Sequence, residues 1–297
     1  MGLAAPFGDQ DTLEVRLEGQ KVIAEIAGKQ VGSLRFFHNR FHYHPRIYSV
    51  SFADFVSGSD TTLIARKLYD CLVKELQPHN PLLLRTGIDE DDPFYTVLRA
   101  LGFRDYRRVY NPVLEVTAVN LESLKTNATT FAALGYEIVR LSDLDWTTEV
   151  AAKLYALHTD VYSDTSTVVP ATPERFSQAE WLAATVKDDA VIPEAFFIAV
   201  QDGEFVGFGN LFRGEIEGEL ETGTFGTRRS YRHHHREIML ALKAQEIAYA
   251  KRHNHKMIRA EIDAENPLIL QICAELPFMQ GKDYISMVKV MNWTVAP

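Results

Sequence analysis

The chain has 297 residues, 46% hydrophobic and 24% charged, which is long enough for two domains at roughly 100–200 residues each. Forty acidic against thirty-one basic residues leave a net charge of −9, a field that repels a phosphate backbone and excludes nucleic acid as the expected partner. Cys71 and Cys273 make no disulfide framework, no apolar run reaches the roughly 18 residues of a membrane helix, and Met1-Gly2-Leu3-Ala4-Ala5-Pro6 carries neither a signal nor a myristoylation pattern, so the expectation is a cytoplasmic protein with no membrane partner.

In chain order, Ile23 to Phe37 reads as two strands joined at Ala27-Gly28, because β-branched and aromatic residues flank a dipeptide suited to a tight hairpin. Leu63 to Lys74 follows as a helix and Leu82 to Ile88 as a buried strand. Asp92 before Pro93 caps a further helix that closes at Leu101-Gly102-Phe103. Periodicity fades from Thr117 to Asn127, which places a boundary there and predicts domains at 1–117 and 118–297. Tyr136 to Leu141 then reads as a strand, Thr148 to Leu157 as a helix, and Ser177-Gln178-Ala179-Glu180 as a capping box opening another helix at Trp181.

From there the first pattern returns. Ala24, Gly28, Val31, Gly32 and Phe37 recur at one fixed spacing as Ala199, Gly203, Val206, Gly207 and Phe212. Arg85, Ile88, Asp89, Asp92 and Pro93 recur at almost the same spacing as Arg259, Ile262, Asp263, Asn266 and Pro267. A nearly constant offset across separated blocks argues for duplication of one α/β domain. The second copy has its helix at about Ile238 to Arg252 and its buried strand at Met257 to Ile262. Its leading strand–helix–helix segment has no room in the first copy, which is either trimmed or completed from elsewhere.

The order strand, hairpin, strand ending in Thr222-Gly223-Thr224-Phe225-Gly226-Thr227, Arg-rich loop, helix, strand, Asn266, helix and Phe278 resembles the GNAT acetyltransferase family, in its tandem-domain form. The similarity is clearest over 194–290 and fainter over 22–115. It implies an α/β fold of two GNAT-like domains, each a mixed, mostly antiparallel sheet flanked by helices, the first lacking the leading segment. It also implies acetyl-CoA as co-substrate, lying where the sheet opens after its fourth strand with its pyrophosphate at the following loop and helix start. On this resemblance Phe225, Gly226 and Thr227 contact the pantetheine arm. Arg228, Arg232, His233, His234, His235 and Arg236 hold the phosphates, and Asn266 orients the cofactor. The sequence departs from the family's Arg/Gln-x-x-Gly-x-Gly/Ala loop, with His and Glu at the glycine positions. In the first copy, Val56 to Leu63 has no arginine, and no cofactor is assigned there.

The reaction implied is acetyl transfer from acetyl-CoA to a small-molecule amine, performed by the second domain. Glu217, Glu219 and Glu221 alternate, so on a strand their carboxylates share one face, either as a stripe that raises the pKa of a catalytic base or as a solvated surface. Glu221 is the first candidate base, with Glu219 next. Cys273 occupies the position where the family commonly has an acidic tyrosine, and Tyr284 is the substitute candidate; both also read as core residues. Tyr155, His158, Asp160, Tyr162 and Asp164 are the candidates for amine selection. His38, His42 and His44 and the triplet His233 to His235 lack acidic partners at ligand spacing, and no metal is expected. A homodimer is left open. The alternative function is a non-catalytic GNAT-like protein that binds a ligand or partner through the same cleft.

Overall fold

The structure, a computed structural model, describes residues 12–38, 44–162, 177–214, 216–264 and 266–291. They divide into two compact units. The first begins with strands β1 (Leu13–Glu18), β2 (Lys21–Ile26), β3 (Lys29–Phe37) and β4 (Ile47–Ala53). Helix α1 (Thr61–Leu76), strand β5 (Leu83–Ile88), helix α2 (Phe94–Ala100) and strand β6 (Arg104–Tyr110) follow. The chain passes into the second unit at residues 107 and 108.

There it forms β7 (Val113–Glu115), α3 (Lys125–Ala133), β8 (Glu137–Arg140), α4 (Thr148–Tyr162) and α5 (Gln178–Trp181). The long hairpin β9 (Val191–Gln201) and β10 (Glu204–Arg213) comes next, then β11 (Glu219–Thr222) and β12 (Gly226–Thr227). Helix α6 (His235–Arg252), strands β13 (Met257–Arg259) and β14 (Ile262–Asp263), helix α7 (Pro267–Ala274) and β15 (Phe278–Met279) complete the unit. The last strand, β16 (Tyr284–Val290), belongs to the first unit again.

Within the first unit the strand order is β1-β2-β3-β4-β5-β16-β6, and within the second it is β8-β9-β10-β11-β13-β7-β15. The two orders are the same, except that each copy's penultimate place is filled by a strand from the other end of the duplication. A single cut at residue 117 therefore does not separate the units: β7 precedes it and lies in the second sheet, while β16 follows it and lies in the first. The first unit also takes in β16 from the far end of the described chain. Its leading strand β1 is present, turning through Gly19 (φ +59) directly into β2, so the part it lacks is the helical pair α4 and α5.

The repeat is visible in backbone detail. Ala27-Gly28 and Asp202-Gly203 both have positive φ at both positions, 51° and 72° in one copy, 50° and 77° in the other. They close two-residue hairpins whose twist matches that of the flanking strands. A Cβ on Gly32 would meet Ile64 at 2.8 Å, and one on Gly207 would meet Ile238 at 2.9 Å, so strand and helix approach equally closely in both. The capping box forms as expected, Ser177 Oγ accepting from Glu180 N–H, though α5 gives way after one turn to a π-helical turn at Leu182–Val186. The expected strand Met257 to Ile262 breaks into β13 and β14, since the Ala260 amide donates to the Pro112 carbonyl.

Two apolar clusters sandwich the second sheet. Val206, Leu211 and Leu220 face α6, whereas Phe196, Phe208 and Phe212 face α4 and Trp181. His158 on α4 lies among the latter, 4.9 Å from the Trp181 ring and only 5% exposed. Burial holds its pKa down at about 3, so the imidazole is neutral in the folded protein.

Two outcomes follow from these packings. Met287 of β16 is fully buried in the first unit's core, so Met287→Ala should cost about 2–5 kcal/mol and lower hydrogen-exchange protection of residues 22–103, far earlier in the chain. A selective loss in the second unit would contradict the strand order. As pH falls below the ordinary histidine value of 6.5, the unfolded chain protonates His158 before the folded one does. Stability should then drop by about 1.4 kcal/mol per pH unit until pH nears 3, and His158→Phe should remove that part of the slope in urea titrations followed by tryptophan fluorescence.

Candidate active site

The geometry of the second unit is set where β11 and β13 run parallel. They pair at Glu219↔Met257, Leu220↔Ile258 and Glu221↔Arg259. Beyond these residues each strand takes a different partner. Gly226 and Thr227 return to β10, opposite Phe208 and Gly207, while Ile262 and Asp263 pair with Tyr110 and Val109. The sheet thus opens after its fourth strand, as the sequence led us to expect. Opposite β10, three residues separate Thr222 from Gly226 where two separate Phe208 from Leu211, so Gly223-Thr224-Phe225 contains a one-residue bulge. Gly223 is required at the bulge because a Cβ would collide with Phe212 and Asn210, and one on Gly226 would collide with Val161 of α4.

Beneath the bulge lies a buried polar group that sequence reasoning missed. The Lys243 ammonium of α6 is 3.8 Å from the Phe225 ring centroid and 2.8 Å from Glu246 Oε2. Lys243 is 3% exposed and Glu246 1%. Among the described residues Glu246 Oε1 has no hydrogen-bond partner, and it lies over Gly209, where a Cβ would collide with it. Burial pushes the Glu246 carboxyl up against the opposing pull of Lys243. Burial likewise raises the Cys273 thiol, opposed by the nearby Lys243 charge, so this cysteine is a neutral thiol. The signal was present in the repeat: the equivalent helix positions of the first copy hold Tyr69 and Leu72.

The segment expected to hold phosphates is a 3-10 turn, Arg229–His234, running into α6. Several of its side chains are bound internally. Arg228 Nε donates to the Phe205 carbonyl at 2.6 Å, and Arg236 forms a two-point ion pair with Glu275. His234 Nδ1 bonds the Tyr136 hydroxyl and His235 Nδ1 the Thr227 hydroxyl, each at 2.7 Å. Burial, with Arg232 adding to it, depresses the His235 pKa. The first backbone donor of the turn, Arg229 N–H, is taken by Asp160 Oδ2 of α4 at 2.9 Å. Arg232 and His233 are exposed.

The candidate bases separate. Glu217 precedes β11; Glu219 accepts from Nε and Nη2 of Arg259, which keeps its carboxyl below the ordinary range. That is opposite to the raised pKa expected of a stripe of like charges, because the neighbouring strand supplies a cation. Glu221 is half-buried at the last paired position before the strands part. Asn266 caps α7, its Oδ1 accepting from Ile269 N–H at 3.3 Å. Tyr284, the substitute acid candidate, begins β16 of the first unit and covers Gly87 there. Of the amine-selection candidates, His158 is in the core, Asp160 binds Arg229, and Tyr155 lies 5.7 Å from Trp181. Tyr162 ends α4, its side chain falling outside the described residues, as do Asp164 and His42 altogether.

In the first unit the corresponding strands also pair over three residues, Ile47↔Leu83 to Ser49↔Arg85. On the segments that then diverge, Phe52, Phe55 and Phe94 cluster with ring centroids 5.0–5.2 Å apart. The α1 start is capped by the Asp60 carboxylate at 3.0 Å from Leu63 N. Among the described residues no three His, Cys, Asp or Glu side chains come together as a metal site, and no helix is long and apolar enough to cross a membrane.

No family model and no curated protein matches the sequence. Solved structures do match over nearly the whole chain. A tandem GNAT protein from the clavulanic acid biosynthesis pathway superposes with a TM-score of 0.61 at 16% identity, covering 96% of this chain and 85% of that one. A GCN5-related N-acetyltransferase from Sphaerobacter thermophilus gives 0.61 at 15%, covering 93% and 82%, and one from Kribbella flavida gives 0.53 at 12%, covering 94% and 90%. With the shared strand order, the opening after the fourth strand and the duplicated hairpins, these likenesses establish that the chain has the tandem GNAT fold.

Proposed function

We propose that the second unit takes acetyl-CoA as acyl donor and passes the acetyl group to a small-molecule amine. The observation that carries this reading is the opening itself: β11 and β13 part after three pairs, and a bulge at Gly223-Thr224-Phe225 displaces backbone on its rim. A bulge re-aims main-chain groups out of the ladder, which is what polarising a thioester carbonyl requires. The exposed Arg232, in the turn that leads into a long helix, supplies positive charge for a phosphate. Glu221 is the base in this reading, standing where the strands separate, while Glu219 is committed to Arg259. No donor is assigned to the first unit, where Phe52, Phe55 and Phe94 cluster on the diverging segments and the Asp60 carboxylate caps the start of α1.

A second reading, ligand or partner binding without catalysis, is favoured by one contact. Asp160 already sits on the Arg229 amide, a carboxylate where a donor's phosphate would bind.

Calorimetric titration with acetyl-CoA distinguishes the two. Micromolar affinity at one site per chain is expected, weakened by Arg232→Ala and by added salt, and strengthened by Asp160→Asn, which removes the competing charge. No heat at high concentration, in the parent chain and in Asp160→Asn alike, would reject the acetyltransferase reading. Once a small amine is found that releases CoA thiol, Glu221→Gln should lower kcat by about 10²-fold or more, with Glu219→Gln much milder.

A further inference from the structure

The duplication supplies an internal control for the buried Lys243–Glu246 pair. The offset that takes Ile64 of α1 to Ile238 of α6 superposes the buried faces of the two helices: Ala65, Leu68 and Leu76 then correspond to Met239, Leu242 and Ala250, every one of them buried. In the same register Tyr69 becomes Lys243 and Leu72 becomes Glu246. On the strand beneath, the offset that relates Gly32 to Gly207 turns Leu34 into Gly209. The first unit fills these three places with apolar or aromatic side chains, each 7% exposed or less. The fold therefore needs no charge there. The second unit has instead removed a side chain at Gly209 and placed Glu246 Oε1 over the glycine, with no hydrogen-bond partner among the described residues. Buried ion pairs commonly stabilise no better than apolar residues of similar volume, so three coordinated changes toward charge at one spot mark a use other than folding.

That spot coincides with the opening. Lys243 lies about 12 Å, eight residues at 1.5 Å each, into α6 from its start, against Phe225 of the bulge and within electrostatic reach of Cys273 on α7. It is the cation that the described structure brings to the ring of Phe225. Resting on the acetyl-CoA reading, we propose that Lys243, held by Glu246, is the cation that stabilises the departing CoA thiolate, at the step for which the sequence offered Cys273 and Tyr284. The acceptor nitrogen bonds to the acetyl carbon and the carbon–sulfur bond breaks, leaving its electron pair on sulfur. The Lys243 ammonium offsets the negative charge left on that sulfur, and Glu221 takes the proton shed by the acceptor nitrogen. Glu246 is a positioning residue: its second oxygen fixes Nζ at the bulge.

The test reads the thiol of bound CoA rather than turnover. The ultraviolet thiolate band of CoA bound to the full chain is followed against pH, with desulfo-CoA, which lacks the thiol, as the baseline for Cys71 and Cys273. A cation at the sulfur should let bound CoA ionise about one to three pH units below free CoA. Lys243→Met should abolish that displacement. Because this variant strands a buried carboxylate, the double variant Lys243→Met/Glu246→Leu, which restores the apolar character of the first unit, should fold with unchanged or raised Tm and also lack the displacement. A displacement that persists in the double variant, or its absence in the parent chain with CoA bound, overturns the role of Lys243. Failure of the parent chain to bind CoA overturns the acetyl-CoA reading, and the role of Lys243 with it.

Discussion

The structure of each unit turns on two parallel strands that stay together for only three residues. Every main-chain amide and carbonyl leaving such a ladder needs another partner. In the second unit they find it in opposite directions, β12 on β10 and β14 on the end of β6. The opening is thus held by hydrogen bonds on both sides rather than by a missing contact. Its rim carries the bulge, its floor carries α6, and the residues of any site there are fixed by the same pairings that part the strands.

The two copies show how one frame is put to different uses. In the first, Phe52, Phe55 and Phe94 gather on the diverging segments, and Leu34, Tyr69 and Leu72 complete an apolar core. In the second, glycine, lysine and glutamate replace that last trio. The exchange of penultimate strands ties each core to residues from the far end of the duplication, so β16 stabilises the unit that begins the chain. Strand exchange of this kind preserves the hydrogen bonding of both sheets while making neither repeat separable by one cut.

At the helix start, two effects compete for the same donors. Arg232 adds positive charge at the exposed surface of the turn; Arg228, Arg236, His234 and His235 are bonded to protein groups there, and Asp160 takes a backbone amide. A carboxylate there satisfies an N–H that an incoming phosphate would otherwise bind. Affinity for an anion is then set by the difference between two interactions with the same amide, which is why a single charge on α4 weighs so heavily.

Local patterning determined a good deal by itself. The Ala27-Gly28 and Asp202-Gly203 turns, the Ser177–Glu180 capping box, the Asn266 cap and the amphipathic helices are short-range preferences, and the constant offset between copies made the tandem GNAT resemblance legible. The opening after the fourth strand followed from that resemblance. What local pattern could not carry was pairing between distant segments. That β16 and Tyr284 belong to the first unit depends on which sheet edge a strand reaches, and that Glu219 meets Arg259 depends on register across a parallel pair. Lys243 and Glu246 read as ordinary charges on a helix until packing buried the face of α6 that carries them, because burial is a property of the neighbours and not of the residue.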